Sequence, residues 1–262
     1  MKLDQRRILI TGAGGGIGRA MVEALNASGA RTMGVARRQR SAVAGDPAEP
    51  QTWLQGDLTL APDIDRVARA AIAWGADTVV HAAGVPAFGA FGQQPAEQTA
   101  SVLQINLWSP MALTQALLPH LHQLPDARVV FVGSALGRIG IPGSAVYGAT
   151  KAGLHRFAEA LRRELAGSPV SVQWLGPRAT QTAFNSPESV AFNQATGTAS
   201  DPPEVVAEAL LALLRSGAAE RHIGFPERLA VRLNGALGPL IDGGFRKHRD
   251  ALFATPSEGV TP

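Results

Sequence analysis

Residues Arg7 to Gly18 read R-I-L-I-T-G-A-G-G-G-I-G. Ile8, Leu9 and Ile10 form an unbroken apolar run, as expected of a strand covered on both faces. Thr11 closes the run and the glycines follow. Met21, Val22 and Leu25 then recur at helical spacing, with Gly29 placed to end the helix. The stretch therefore predicts strand, glycine turn and helix. Glycines serve such a turn because the backbone must bend tightly and approach an anion, such as a pyrophosphate, at the positive end of the helix. A glycine-rich turn alone is a weak signal. Its place after a strand and before a helix makes it a nucleotide-binding one.

The same alternation continues along the chain. Thr32–Ala36, Thr52–Gln55, Asp77–Val80, Arg128–Val132, Val170–Leu175 and Arg221–Phe225 read as further strands. Between them, helices are predicted over Asp63–Trp74, over a long region from Pro95 to Leu121 interrupted near Asn106 and Pro110, and over Val146–Ala166 and Pro203–Arg215. Arg178–Asp201 has weak periodicity and is expected to be a lid or binding loop. This order predicts an α/β fold: a Rossmann-like, doubly wound parallel sheet of about seven strands with helices on both faces, in three layers. Residues 1–225 form that single domain. In such sheets the ligand crevice lies outside the carboxyl ends of the strands, and Gly12, Asp57, Gly84 and Ser134 all fall there.

Composition narrows the function classes. The chain has 262 residues, 45% of them hydrophobic and 17% charged, which is globular rather than disordered. No apolar run is long enough to span a bilayer, and the N-terminus lacks a signal peptide's apolar region. A cytoplasmic protein is expected. Cysteine is absent, which removes disulfides and thiolate metal sites; no metal is expected. The sequence pI is near 9.9, but the net charge is only +3 and there is one tyrosine. Nucleic-acid binding is not expected. Residues 226–262 form a C-terminal extension. Leu229, Leu233, Leu237, Leu240 and Ile241 interleave there with Arg228, Arg232, Arg246, Lys247 and Arg249. This partly amphipathic segment either contacts a membrane surface peripherally or, the favoured reading, packs over the cleft or on another subunit. The last residues are expected to be disordered.

Ser134 to Lys151, S-A-L-G-R-I-G-I-P-G-S-A-V-Y-G-A-T-K, carries the chemistry. On a helix, Tyr147 and Lys151 share a face, about 5–6 Å apart at Cβ. A phenol beside an ammonium is a proton-transfer pair, and Ser134, beyond a strand end, supplies a third polar group. A free tyrosine titrates near 10, and the Lys151 ammonium is expected to pull that value down. Arg37 and Arg38 follow the second strand where an NAD site commonly places an acid, so a 2′-phosphate, and hence NADP(H) over NAD(H), is favoured. Asp57 either meets the adenine or caps the next helix. His81 is either packed or functional. Phe88, Phe91, Phe184 and Phe192 suggest an apolar substrate.

Taken together, these features resemble the short-chain dehydrogenase/reductase family over roughly residues 6–225. Thr11, Gly12, Gly16 and Gly18 match its glycine motif, and Tyr147 and Lys151 its Tyr-x-x-x-Lys. Ser134 has the family's spacing to the tyrosine, and Asn106 matches the asparagine of its tetrad. The resemblance implies an oxidoreductase acting on the CH–OH group of donors, interconverting a ketone or 3-oxoacyl-like carbonyl with a secondary alcohol. Ser134, Tyr147, Lys151 and Asn106 would be catalytic, with Asn106 holding a relay water. Thr11, Gly12, Gly16, Ile17, Gly18, Arg37, Arg38, Asp57, Leu58, Ala83, Gly84, Tyr147, Lys151, Pro177, Thr180 and Thr182 would bind the cofactor. It also implies a homodimer or homotetramer. The chain departs from the family at His81-Ala82-Ala83-Gly84, where Asn-Asn-Ala-Gly is usual, and at Arg178, where a glycine is usual. Arg178 reaches either an anionic ligand or an acid. The alternative is a catalytically silent NADP(H)-binding regulatory or membrane-surface protein.

Overall fold

Ile8 and Ile10 leave one side of their strand and Leu9 the other, and all three are fully buried. That alternation forces a sheet with cover on both faces. The computed structural model describes residues 3–38, 40–41, 43–224 and 242–254. In chain order it contains β1 (Arg7–Thr11), α1 (Gly16–Ala27), β2 (Arg31–Ala36), β3 (Thr52–Gln55), α2 (Ala61–Trp74), β4 (Thr78–His81), α3 (Ala96–Leu103) and α4 (Ser109–Leu121). There follow β5 (Ala127–Val132), α5 (Ala145–Glu164), β6 (Val170–Gly176), β7 (Ala179–Thr180), α6 (Pro187–Thr196), β8 (Ser200–Asp201), α7 (Pro203–Ser216), β9 (Glu220–His222) and α8 (Arg246–Ala254).

Seven strands form one parallel sheet in the order β3-β2-β1-β4-β5-β6-β9. Leu9 pairs with Met33 on one side and Val79 on the other, and Val79 with Val129. Leu9, Val79, Val129, Phe131 and Val172 pack against α2, α4 and α5. Ile8, Ile10, Val80, Val130 and Leu175 pack against α1 and α7. The result is the expected three-layer Rossmann-like sheet. Strand order reverses between β1 and β4, and a crevice opens at such a reversal.

Three local readings change. Arg178–Asp201 is built, not loose: β7 and β8 pair with each other and bracket α6. The short polar segments gave no periodicity because each two-residue strand needs only its partner across the bracket. Second, the interruption near Asn106 is a π turn over Gln104–Trp108. Pro110 has no N–H to give the carbonyl four residues back, at Asn106, and the helix widens there instead of breaking. Third, the last strand ends at His222, before the expected Phe225.

His81 is a packing residue. Its ring stacks on Phe131 at 5.0 Å and burial pushes it down to about 3, so it is neutral. Thr114 Oγ1 donates to Pro110 O, which leaves its lone pairs to accept from His81 Nε2 at 2.9 Å.

Most of the apolar part of the C-terminal extension, from Arg228 to Ile241, lies outside the described residues, as do residues 255–262 and hence the call of disorder there. Its described part, α8, packs on α6. Among the described residues no helix is long and apolar enough to cross a membrane.

Candidate active site

A cavity of about 950 Å³ runs along the carboxyl ends of the strands, a size typical of ligand sites. At one end lies the glycine turn. Gly12 has φ +72°, and a Cβ there would sit 2.7 Å from Ala83 N; one on Gly18 would sit 2.1 Å from Gly12 O. Neither neighbour can yield, because both are backbone. The turn delivers the chain to the first residue of α1, Gly16, with Gly15 as an N-cap that has no side chain and no acid in the first turn. The positive end of α1 is therefore left for a ligand anion. Thr182 lies over it, its Cγ2 2.5 Å from where a Gly16 Cβ would be. Thr11 does not line the cavity, contrary to expectation. Its Oγ1 accepts the Ala82 and Ala83 N–H groups at 3.2 and 3.1 Å, tying β1 to the end of β4.

Further along β2, Arg37 lines the cavity and the exposed Arg38 does not. Chain direction alternates side chains after a strand, so adjacent arginines diverge. Arg40 lines the wall as well. Its guanidinium lies 4.7 Å from the Trp53 ring centre and 3.6 Å from Glu49 Oε1. Glu49 also accepts from Arg19 at 3.1 Å and from Trp53 Nε1 at 2.9 Å, which fixes this corner over Gly14. Asp57 lines the cavity with Leu58 but does not cap α2. Its Oδ1 accepts from Thr59 N and Oγ1, while Leu60 is the N-cap.

Ser134, Tyr147 and Lys151 meet at the middle of the cavity. Ser134 follows β5 in an extended conformation and accepts the Leu136 N–H at 3.1 Å. Tyr147 and Lys151 are a turn apart at the start of α5. Lys151 Nζ donates to Val132 O at 3.1 Å and stands 5.7 Å from the centre of the Tyr147 ring. Burial pushes the Tyr147 phenol up to about 12, against an opposing hydrogen bond with Ser134. Burial likewise pushes Lys151 down to about 8. The expected depression of Tyr147 is thus reversed in the chain by itself. Loss of water outweighs the hydrogen bond with Ser134.

Asn106 is buried and stands behind the cavity, not on its wall. Its amide accepts the Val85 N–H at 2.8 Å, donates to Val85 O at 2.9 Å, and donates to Thr150 Oγ1 at 3.4 Å. Its side chain therefore pins the segment after β4. A Cβ on Gly84 would be 3.3 Å from Asn106 Oδ1 and 3.9 Å from Lys151 Nζ, so Asn106 sits beside the lysine.

Gly12, Gly16, Ile17, Gly18, Ala83, Gly84, Pro177, Thr180 and Thr182 all lie on the wall. Arg178 resolves to the acid: Nε and Nη2 donate to the two oxygens of Asp201 at 2.8 and 2.7 Å, clamping the β7–β8 bracket at the base of α6. Phe88, Phe184 and Phe192 also line the cavity: Phe184 lies edge-on to Tyr147 at 5.9 Å, and Phe88 edge-on to Phe192 at 5.0 Å. Phe91 is exposed and elsewhere. His248 of α8 lines the cavity beside Phe192, the ring centres 5.9 Å apart; nothing in the local sequence signals it, because only tertiary packing brings α8 there.

A family model described as short chain dehydrogenase matches residues 6–191. The chain is 30% identical over 252 residues to the uncharacterized oxidoreductase YxnA of Bacillus subtilis, covering 91% of this chain and 70% of that protein. It is 30% identical over 189 residues to the 3-oxoacyl-(acyl-carrier-protein) reductase FabG of Vibrio cholerae, covering 70% of this chain and 76% of that one. Among solved structures, a short chain dehydrogenase from Burkholderia cenocepacia in complex with NADP superposes with a TM-score of 0.80 at 22% identity, covering 94% of this chain and 99% of that one.

Proposed function

Since this chain belongs to the short chain dehydrogenase family, we propose that it is an NADP(H)-dependent oxidoreductase interconverting a carbonyl compound and a secondary alcohol. One observation carries the reading. A single cavity joins a glycine turn at a helix N-terminus to Ser134, Tyr147 and Lys151. The turn fits a dinucleotide: its glycines leave free the space that side chains would fill, and the uncapped end of α1 suits a diphosphate. Gly12, Gly16, Ile17 and Gly18, with Thr182 over Gly16, would hold that group, Asp57 and Leu58 the adenine side, and Ala83, Gly84, Pro177 and Thr180 the nicotinamide side. When bound, the cofactor supplies or receives the hydride.

The residues of the chain manage the proton. Tyr147, protonated at neutral pH and held so more firmly by burial, which raises it to about 12, is suited to donate to a carbonyl oxygen as that oxygen gains charge. The Ser134 hydroxyl orients the oxygen and helps carry the charge. Lys151, still mostly ammonium at pH 7 with its value near 8, stabilises the phenolate that remains. Asn106 holds the segment through Val85 and so positions Gly84 and Lys151. The three cavity phenylalanines favour an apolar ketone or 3-oxoacyl-like substrate, in line with the relative named as a 3-oxoacyl reductase.

A screen of ketones, 3-oxoacyl thioesters and alcohols with NADPH and NADH, read by absorbance of the reduced nicotinamide, tests the reading. Turnover that needs Tyr147 supports it. Cofactor binding with no turnover across the screen would support the catalytically silent alternative instead.

Arg37 and Arg40 underlie the cofactor preference. Arg40→Ala is expected to weaken NADPH binding about tenfold or more and NADH binding little, because a charge-assisted contact contributes about 1.5–3 kcal/mol. Equal losses for both dinucleotides would remove Arg40 from that role.

The buried pair also predicts a stability profile. Lys151 has a folded value of about 8 against 10.5 for the free group. The unfolded chain therefore binds the extra proton between those values, and stability rises with pH across that window. Tyr147 works oppositely: it keeps its proton to about 12 against 10.0 when free, so stability falls with pH above 10. Relative to Lys151→Met, the wild-type chain should gain roughly 2–3 kcal/mol between pH 8 and 10. Urea denaturation across that range measures it; parallel curves for the two proteins would contradict the shift.

A further inference from the structure

The cavity wall carries one titratable ring that the site described above does not use. His248, on α8, shares the cavity wall with Phe88, Ile141 and Phe192 and with the polar Ser189 and Asn193 of α6. Its ring is 5.9 Å from that of Phe192 and 5.4 Å from that of Phe245. Nδ1 is sequestered without a hydrogen-bond partner among the described residues. A buried N–H without an acceptor is the most strongly avoided of orphaned polar groups, so the proton belongs on Nε2 and Nδ1 keeps its lone pair. Protonating the ring would place a second N–H in that sequestered position. Burial and the neighbouring Lys247 ammonium accordingly hold the imidazole below its usual value. The ring is then a neutral donor, with Nε2–H the group left to meet a ligand.

We infer that His248 is a specificity-determining residue, donating from Nε2 to an uncharged oxygen at the end of the substrate remote from the reacting carbonyl. The substrate class this selects is an apolar carbonyl compound with a second acceptor, a hydroxyl, ether or carbonyl, beyond its apolar stretch. A plain hydrocarbon tail would bury Nε2–H with nothing to receive it, and a buried donor without an acceptor is penalised. This inference rests on the proposed carbonyl reduction only for naming which end of the substrate reacts. The site itself is a matter of binding.

Two series distinguish the claims: unbranched methyl ketones of increasing length, and the same ketones with a terminal hydroxyl. Their binding to the full chain is measured by calorimetry in the presence of NADPH for Tyr147→Phe, and again with His248→Leu or His248→Gln added. Turnover of both series by the chain with Tyr147 intact is followed in parallel. At the matching length the hydroxylated ketone should bind Tyr147→Phe about five- to tenfold more tightly than the plain one, the ratio expected of one neutral hydrogen bond. His248→Leu should erase the difference without weakening the plain ketone. His248→Gln, whose amide can still donate, should restore part of it, and it guards against a leucine variant that misfolds. Equal affinities for the two series at every length, or an equal loss for both in His248→Leu, would overturn the inference and leave His248 a packing residue. Absence of turnover with the binding pattern intact would instead count against carbonyl reduction.

Discussion

Tyr147→Phe is expected to lower carbonyl reduction about a thousandfold while leaving NADPH affinity within about twofold, the size of effect when a positioned proton donor is removed. The phenol holds its proton at neutral pH, shares the cavity wall with Ser134, and has the Lys151 ammonium 5.7 Å from its ring centre. Phenylalanine keeps the ring and its edge contact with Phe184, centred 5.9 Å away, so the pocket keeps its shape. The loss should therefore fall on kcat with KM little changed. Stopped-flow turnover beside fluorescence titration of NADPH separates the two. A variant retaining more than a tenth of wild-type kcat would show that the proton comes from elsewhere.

Gly18→Ala should act on binding and stability together. Its Cβ would lie 2.1 Å from the Gly12 carbonyl oxygen and 2.8 Å from the Gly12 carbonyl carbon, so the turn must open before α1 can start. Overpacking of this kind costs about 1–3 kcal/mol, and it displaces the N–H groups of the first helical turn. NADPH affinity is expected to fall by more than about tenfold, with a lower midpoint in thermal unfolding. Glycine at 45, where a Cβ meets nothing within 4 Å, gives the contrast: Gly45→Ala, at φ +83°, should show a modest stability loss from backbone strain and unaltered NADPH affinity. Unchanged affinity in Gly18→Ala would mean that the turn does not hold the cofactor.

The alternation of apolar runs with amphipathic stretches specified the layers, and the glycine turn and Tyr147/Lys151 spacing marked two stretches of the cavity wall. These signals are local. A buried strand must be apolar on both faces, and residues a helical turn apart must share a side. Other readings failed where the deciding contact was distant. Arg37 and Arg38 look equivalent in a row, yet Arg38 is outside the cavity and Arg40 enters it, because Trp53 and Glu49 reach across from β3 and the preceding loop. The partner of the Asn106 side chain, Val85, was likewise not legible, because the segment after β4 is distant in the chain and meets it only in the folded state. Ala179–Thr180 and Ser200–Asp201 are too short to announce themselves as strands and become ordered only against one another, clamped by Arg178 and Asp201.

The sequence by itself determined the parallel sheet, its helical cover, and the meeting of Ser134, Tyr147 and Lys151 at the strand ends. These follow from periodicity and from spacings within one element or at its border. The tertiary structure alone decided which basic groups face the cavity, that burial raises Tyr147 and lowers Lys151, and that α8 brings His248 to the cavity wall. Desolvation and long-range packing depend on what surrounds a residue, and that environment exists only once distant parts of the chain have met.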